Sequence, residues 1–217
     1  MAKYKHIIWD WNGTVVNDVR LCVSVFNSMA RVYGNGEITL QDYVENFKFP
    51  VIKFYQECGF DFTKVSFEEV GQWFINEYNS RRFECELNLG VLDALDEFSN
   101  NGLSQSVLSA YQKTMLLEAV NFYGIKKYFS IVDGLDDIYS NSKENLGRQH
   151  IAKIGINPNE VLMIGDTDHD KATADAMGVK CALVASGHNP LKRLEKLGVP
   201  VFENHIEFKN ALINNEI

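Results

Sequence analysis

Short apolar segments alternate with amphipathic segments along residues 91–217, and no other feature of the sequence constrains the fold as strongly. Short apolar runs between turn signals predict buried strands, whereas apolar residues at three- and four-residue spacing predict helices. The predicted strands are Leu103–Ser109, Phe129–Val132, Val161–Gly165, Val179–Ala185 and Val201–Phe202, and the predicted helices are Val91–Asn100, Lys113–Tyr123, Glu144–Ile154, Lys171–Met177 and Leu191–Leu197. This alternation predicts a mostly parallel sheet with helices on both faces.

One further strand is predicted near the start of the chain, at His6–Trp9, and a long helical region separates it from the other strands. Apolar residues recur at helical spacing from Leu21 to Tyr33. Residues 39–83 contain two helix start signals, with Thr39 as an N-cap and Ser66-Phe67-Glu68-Glu69 as a capping box. We therefore predict a discontinuous α/β domain with a helical domain inserted after its first strand.

The chain is acidic, with a formal net charge of -8. Nucleic acids and anionic membrane surfaces repel such a chain, so we expect neither as a main partner. No apolar stretch is long enough for a signal peptide or a bilayer span, which predicts a cytoplasmic protein. The four cysteines (Cys22, Cys58, Cys85 and Cys181) form no CxxC pair, so buried free thiols are favoured over a zinc site or a disulfide framework.

An acidic residue directly follows the first predicted strand. Ligands of such sheets bind beyond the carboxyl ends of the strands, where Asp10 opens the pentapeptide Asp10-Trp11-Asn12-Gly13-Thr14. A carboxylate at this place can attack phosphorus and form a covalent acyl-phosphate. Asp10 could instead only cap the turn that Asn12-Gly13 indicates, and the pentapeptide alone leaves both interpretations open.

Two polar residues follow later strands of the predicted sheet. Ser109 could donate a hydrogen bond to a phosphoryl oxygen, although a turn-initiating serine is the favoured interpretation of this residue in isolation. Lys143 follows the loop 136–142 and could offset the negative charge of a phosphoryl group. Taken alone, Lys143 is better interpreted as a surface lysine at a helix start.

An acidic cluster of Asp166, Asp168 and Asp170 follows the strand Val161–Gly165. Magnesium prefers hard oxygen ligands and keeps several waters, so one or two carboxylates suffice to bind it. Asp166 and Asp170 are one helical turn apart and could share a face. Asp168 and Asp170 could instead be acids that the dipole at a helix N-terminus favours, whereas a metal role is favoured for Asp166.

The order of these residues, each after a predicted strand, resembles that of the haloacid dehalogenase-like superfamily and is similar to its phosphoglycolate-phosphatase-like branch. The resemblance covers nearly the whole chain; the motifs around Asp10 and Asp166 are specific, and the serine and lysine motifs are weak without them. It implies a Rossmann-like, doubly wound, mostly parallel sheet with an inserted all-helical cap. The implied core comprises residues 1–15 and 86–217, and the implied cap comprises residues 16–85.

The resemblance further implies a phosphatase that acts on a small phosphorylated metabolite. In this comparison Asp10 matches the catalytic nucleophile. Ser109 with the adjacent Ala110 matches the segment that binds the phosphoryl group, and Lys143 matches the phosphate-binding lysine.

The implied cofactor is Mg²⁺. Asp10 and Asp166 match metal ligands, and Asp170 matches the acid that supports the metal site. Asn12 matches a position that supplies a backbone carbonyl to the metal and, in most relatives, a side-chain general acid.

The sequence departs from the family pattern at Asn12, where the family usually has an aspartate. An amide cannot protonate a leaving group or activate water as a carboxyl group can. His169 and His188 could act as substitute proton donors, although a solvated helix-start histidine and a loop histidine are the favoured interpretations. Glu144 follows Lys143 at a position where the family frequently has a proline, and we expect this difference to have no effect on function.

Three functions remain open from the sequence. A phosphate-monoester phosphatase is favoured, and a phosphonate-cleaving or phosphoryl-transfer enzyme of the same fold is the second. The third is a phosphate-binding module that has lost turnover with Asn12. The presence of Asp10, Ser109, Lys143 and Asp166 argues against the third, because an inactive site need not keep all four.

Overall fold

The computed structural model describes residues 3–34, 36–136 and 143–217. The chain forms two compact units, one of Met1–Asn17 with Leu87–Ile217 and one of Asp18–Glu86. The first unit is α/β and the second is built from helices α1 to α4, whose bounds are given below, so the predicted fold class is confirmed. The role of the second unit as a cap stays a prediction.

The strands are β1 (His6–Trp9), β2 (Val16–Asn17), β3 (Glu86–Leu87), β4 (Ser104–Gln112), β5 (Ile131–Leu135), β6 (Val161–Gly165), β7 (Lys180–Val184) and β8 (Val201–Phe202). Within the described residues, six of these strands form one sheet in the order β5-β4-β1-β6-β7-β8, and β2 pairs with β3 in a second sheet. Neighbouring strands of the large sheet run parallel.

The register of the central strands brings several chain segments to one edge of the sheet. Trp9, the last residue of β1, is aligned with Val107 of β4 and with Ile164 of β6. Since parallel strands end on the same side, Asp10 and the residues after Val107 and Ile164 lie at a common carboxyl edge. Ligands of open α/β sheets bind at this edge.

The helices are α1 (Val19–Tyr33), α2 (Leu40–Asn46), α3 (Val51–Glu57), α4 (Phe67–Arg81), α5 (Val91–Asn100), α6 (Lys113–Phe122), α7 (Lys143–Ile154), α8 (Asp168–Met177), α9 (Leu191–Leu194) and α10 (His205–Ile213). Helices cover both faces of the large sheet. Trp9 contacts Phe98 of α5 and Phe208 of α10. Its neighbour Ile8 belongs to a buried cluster with Ala174 of α8, because successive strand residues point to opposite faces.

The helical unit has an aromatic core of its own. Phe26 of α1 is buried, and its ring centroid lies 5.4 Å from that of Phe54 and 5.5 Å from that of Tyr55 in α3. The side chain of Thr39 caps α2 in a capping box, and the side chain of Ser66 accepts a hydrogen bond from the third residue of α4. Thr39 and Ser66 are therefore confirmed as N-caps, and of the capping box predicted at Ser66 the structure shows the bond from the Glu69 backbone N–H.

Helix α10 is not among the predicted elements, although Asn204 caps it by accepting hydrogen bonds from two backbone N–H groups. Its buried face includes His205 beside Phe208 and Leu212, and this polar residue interrupts the apolar pattern. Helix α8 begins at Asp168, three residues before the predicted start at Lys171.

None of the helices in the described ranges combines the length and the apolar character that crossing a membrane requires.

Candidate active site

Three buried carboxylates meet at the carboxyl edge of the sheet. Asp10 follows β1, Asp166 follows β6, and Asp170 lies in the first turn of α8. One oxygen atom of each lies within 4.8 Å of the others. The structure thus brings together acids that are far apart in sequence.

Lys143, the first residue of α7, extends its side chain into this cluster. The ammonium group donates one hydrogen bond to Asp10 Oδ1 and another to Asp170 Oδ1, the second at 2.5 Å. Burial disfavours a charged lysine, but the Asp10 and Asp170 carboxylates outweigh it and raise the pKa of Lys143 above its ordinary value. Because only 3% of this side chain is exposed, Lys143 is not the surface lysine that its sequence context alone favours.

The cluster carries excess negative charge, since three carboxylates face one ammonium group. Burial, reinforced by the Asp170 carboxylate, raises the pKa of Asp10 to about 8. Burial also raises the pKa of Asp166 to about 6, with a further contribution from Asp170. Burial acts on Asp170 in the same direction, but Lys143 outweighs it and holds the pKa of that carboxyl below its ordinary value.

The donor set of this cluster fits a hard divalent cation. Carboxylate oxygens are the ligands that such cations prefer. A bound cation would also offset the negative charge that contributes to the raised pKa values of Asp10 and Asp166.

Asp166 is held in place from two sides. The Thr14 hydroxyl donates a hydrogen bond to Oδ1 at 2.9 Å, and the His188 backbone N–H donates one to Oδ2 at 2.6 Å. Gly13 has φ +75°, and a Cβ there or at Gly187 would overlap the Asp166 side chain. Neither Thr14 nor Gly187 is among the predicted site residues; the signal for Thr14 is its place in the pentapeptide Asp10–Thr14.

Asp170 serves both α8 and the cluster. Its Oδ2 accepts hydrogen bonds from the backbone N–H groups of Asp166 and Thr167 at 3.1 and 3.0 Å, and from the Thr167 hydroxyl at 2.7 Å. Its Oδ1 is the atom that Lys143 contacts. The interpretations of Asp170 as a helix N-terminal acid and as a site residue are therefore compatible.

The neighbours of Asp170 face other partners. Asp168 forms an ion pair with Arg193 at 2.5 Å and is not one of the three clustered acids. His169 Nδ1 lies 3.7 Å from a carboxylate oxygen of Glu144. Burial, and then the charge of Lys143, lower the pKa of His169, which favours its neutral form.

Ser109 lies in an irregular part of β4. Between Leu108 and Gln112 the register with β5 shifts, and such bulges occur next to active sites, where they re-aim side chains. Ser109 is buried and its hydroxyl accepts a hydrogen bond from the N–H of Tyr111 at 3.0 Å, whereas Ala110 is exposed. The alignment of Trp9 with the residue two before Ser109 puts this serine at the same sheet edge as the acids.

The turn after Asp10 is closed by a residue that is not among the predicted site residues. The buried Asn88 side chain donates hydrogen bonds to the carbonyls of Gly13 and Thr14, each at 2.8 Å. Its backbone N–H donates to the carbonyl of Val15 at 2.9 Å. Asn12 lies in the turn that Asn88 holds, and it is partly exposed. No motif in the sequence points to Asn88.

The predicted loop before Lys143 falls mostly on residues 137–142, which lie outside the described residues.

Comparison with known proteins is consistent with this geometry. The chain is 24% identical over 186 residues to the pyrophosphatase PpaX of Bacillus pumilus, covering 82% of each chain. It is 22% identical over 190 residues to phosphoglycolate phosphatase 1 of Pseudomonas aeruginosa, covering 84% of this chain and 70% of the relative. A haloacid dehalogenase-like family hydrolase of Streptococcus pneumoniae has the same fold, with a TM-score of 0.79 at 16% identity over 96% of this chain and 98% of the other.

The model of the haloacid dehalogenase-like hydrolase family matches residues 7–184. This range contains Asp10, Ser109, Lys143 and Asp166, and it confirms the resemblance stated from the sequence. The two curated relatives named above are phosphatases. The chain belongs to the haloacid dehalogenase-like hydrolases.

Proposed function

We propose that this enzyme hydrolyses phosphate monoesters of small metabolites through an aspartyl-phosphate on Asp10. The observation that carries the proposal is the contact of Lys143 with both Asp10 and Asp170 inside the buried cluster. A cation held beside a nucleophilic carboxylate can stabilise the negative charge of a phosphoryl group without reorganising in the reaction. The two curated relatives are named for phosphatase activities, which supports the same chemistry.

The proposed reaction has two displacements at phosphorus. In the first, an oxygen of Asp10 forms a bond to phosphorus while the bond from phosphorus to the ester oxygen breaks, and the leaving oxygen keeps the electron pair and gains a proton from solvent. In the second, a water oxygen forms a bond to the phosphorus of the aspartyl-phosphate while the bond from phosphorus to the Asp10 oxygen breaks, and the water gives up a proton to solvent. Asp10 is regenerated as a carboxylate, and inorganic phosphate is released. Lys143 and Ser109 bind phosphoryl oxygens throughout.

The residues that would hold Mg²⁺ are Asp10, Asp166 and the backbone carbonyl of Asn12, with Asp170 in support. Few carboxylates suffice for this ion, because it keeps several waters. When bound, Mg²⁺ supplies positive charge that offsets the repulsion between the carboxylates and an incoming phosphate ester.

A panel of phosphate compounds, assayed with Mg²⁺ and with chelator, tests the proposal. The panel includes phosphoglycolate and pyrophosphate, because these substrates name the relatives, together with an aryl phosphate and several alkyl phosphates. We expect phosphate release only in the presence of a divalent metal, and none from an Asp10→Asn preparation, which controls for contaminating phosphatases. Undiminished release in chelator, or no release from any compound, would contradict the proposal.

A further inference from the structure

A buried polar network connects the sheet to α7. The Nε2 atom of His6 in β1 lies 2.7 Å from Ser106 Oγ in β4, and the same Oγ lies 2.7 Å from Nε2 of His150 in α7. The Nδ1 atom of His150 lies 2.9 Å from Asp133 Oδ2 in β5. Four secondary structure elements therefore meet at two histidines, one serine and one aspartate.

Ser106, His150 and Asp133 have the order of contacts found in the catalytic triad of serine hydrolases. All three are buried, with exposed fractions of 0, 0 and 2%. No substrate can reach the Ser106 hydroxyl without unfolding the sheet, so the network cannot act as a nucleophilic site. The network must therefore have a structural role, through the secondary structure elements that it connects.

Both ring nitrogens of His6 and of His150 have a hydrogen-bond partner in the network. Asp133 accepts a hydrogen bond from Nδ1 of His150, and the other ring nitrogen of His150, Nε2, forms a hydrogen bond with the Ser106 hydroxyl. The Ser106 hydroxyl also forms a hydrogen bond with Nε2 of His6, and Nδ1 of His6 lies 2.6 Å from the Ser104 hydroxyl oxygen. Fully satisfied buried networks of this kind rigidify the structure around them.

Asp133 is the charged end of the network. Lys153, one turn after His150 in α7, contacts Asp133 Oδ2 at 2.7 Å, and Lys113 of α6 contacts Oδ1 at 3.3 Å. Burial alone would raise the pKa of Asp133, but the hydrogen bonds from His150 and Lys153 outweigh it and hold this pKa well below the ordinary value. Helix α7 is thus attached to β5 through two of its own side chains.

The same helix face carries Lys143. Lys143, Gly147 and His150 are the buried residues of α7, and their spacing of four and three residues places them on one stripe. A Cβ at Gly147 would lie 2.9 Å from Cγ of Met177 in α8, so α7 packs closely on the helix that carries Asp170. The His150 anchor and Lys143 are about 10 Å apart along the helix axis.

We propose that His150, held by Ser106 and Asp133, is a positioning residue that sets the place of α7 so that Lys143 reaches Asp10 and Asp170. A regular helix transmits a shift at one residue to the next turns with little change. A displacement of α7 at His150 therefore moves the Lys143 backbone relative to Asp10. The consequence for phosphate binding rests on the proposed function, whereas the attachment of α7 does not.

The test compares His150→Leu, which removes both hydrogen bonds, with His150→Asn, whose amide can still donate to Asp133. The first measurement is hydrogen exchange at the amides of residues 147–149, which bond to carbonyls of the first turn of α7 in a regular helix. We expect exchange about tenfold faster or more in His150→Leu, and partial recovery in His150→Asn. Leu95→Ala, a core substitution in α5 on the other face of the sheet, is the matched control and should not accelerate these amides selectively.

The second measurement is the affinity for inorganic phosphate with Mg²⁺, with Lys143 intact and in a Lys143→Met background. If His150 acts through Lys143, His150→Leu weakens phosphate binding about tenfold or more with Lys143 present and less than about twofold without it. Equal losses in both backgrounds, or unchanged exchange at residues 147–149, would overturn the proposal.

The two measurements separate this proposal from the proposed function. If the wild-type protein neither binds phosphate nor cleaves any ester, the proposed function fails, and the exchange data still decide whether His150 positions α7. If His150→Leu does not fold, Ser106→Ala and His150→Asn give the same comparison with a smaller change. No selective effect on α7 in either variant would also overturn the proposal.

Discussion

The hydroxyl group of Thr14 donates a hydrogen bond to Oδ1 of Asp166 across 152 residues of sequence, at 2.9 Å. Both side chains are fully buried. The bond fixes one carboxylate oxygen of Asp166, and the His188 backbone N–H fixes the other. Under the proposed function, these two bonds would orient Asp166 toward Mg²⁺.

Replacing Thr14 by valine keeps the volume of the side chain and removes this hydrogen bond. We expect Thr14→Val to weaken Mg²⁺ binding by about 10- to 100-fold, the usual effect of losing a group that orients a metal ligand. Thr14→Ser keeps the hydroxyl and serves as the control. Titration of activity or of thermal stability with Mg²⁺ measures the affinity, and equal Mg²⁺ requirements in the two variants would contradict the role given to Thr14.

Asp10→Asn should abolish turnover and stabilise the metal-free protein. The pKa of Asp10 is raised from 3.8 to about 8 in the folded state, so the folded chain binds more protons, and the stability of the metal-free protein falls as pH rises from about 4 to 8. An asparagine at position 10 cannot ionise, so it removes this loss of stability. At pH 7 we expect a higher Tm, by at least about 2–4 °C, the shift per 1 kcal/mol for a domain of this size. A lower Tm, or retained turnover, would show that Asp10 has a structural role instead.

Asn12→Asp should accelerate the cleavage of alkyl phosphates more than that of aryl phosphates. An alkyl alkoxide is a strong base that needs a proton as it leaves, whereas a phenolate needs little help, and general acid–base catalysis typically contributes about 10²- to 10⁴-fold. Steady-state rates on matched alkyl and aryl esters measure the difference. If the wild-type and Asn12→Asp proteins cleave alkyl esters at equal rates and aryl esters at equal rates, another group donates the proton.

A control for spontaneous chemistry is needed in that experiment. Asn12 precedes Gly13, and this pair invites deamidation to aspartate. Peptide mass spectrometry of the wild-type preparation measures how much aspartate it already contains.

His205 should make the protein sensitive to acid. Its ring is fully buried against Trp9, and neither nitrogen has a hydrogen-bond partner among the described residues. Burial lowers the pKa of His205 from 6.5 to about 4. The unfolded chain therefore binds more protons between these values, and stability is lost as pH falls from about 6.5 to 4. We expect His205→Leu to raise the Tm at pH 7 and to weaken this pH dependence, as measured by thermal unfolding between pH 4 and 8.

His6 provides the contrast for this prediction. Burial, with a contribution from His150, also lowers the pKa of His6 to about 4. The ring of His6, however, contacts Ser104 and Ser106, so His6→Leu leaves buried hydroxyl groups without this partner and should lower the Tm. Stabilisation by both substitutions would contradict the assignment of the two environments.

The alternation of strands and helices sufficed to predict the fold, because the sheet buries apolar runs that are visible in the sequence. Val91–Asn100 and Val161–Gly165 form with the predicted bounds. The position of Lys143 could not be derived in this way. Its burial depends on contacts with Asp10 and Asp170, which are distant in sequence, and without the family resemblance a surface lysine was the better interpretation.

The residues that hold the site in place were harder to predict than the site itself. Asn88 has no motif around it, and its function depends on the carbonyls of a turn more than 70 residues earlier. The polar residues Ser106 and His150 lie in segments whose patterns indicate a strand and a helix, and nothing local shows that they contact each other. This contact becomes visible only when the packing of α7 on β4 is known.

The strand order has a consequence for synthesis on the ribosome. The first strand is central in the sheet, and its partners begin at Ser104 and Val161. At a translation rate of about 5–20 residues per second, β1 waits roughly ten seconds or longer for its second neighbour. The helical unit of Asp18–Glu86 is complete well before that. A nascent chain of this protein therefore cannot complete the central part of its sheet until the residues through Gly165 have been synthesised.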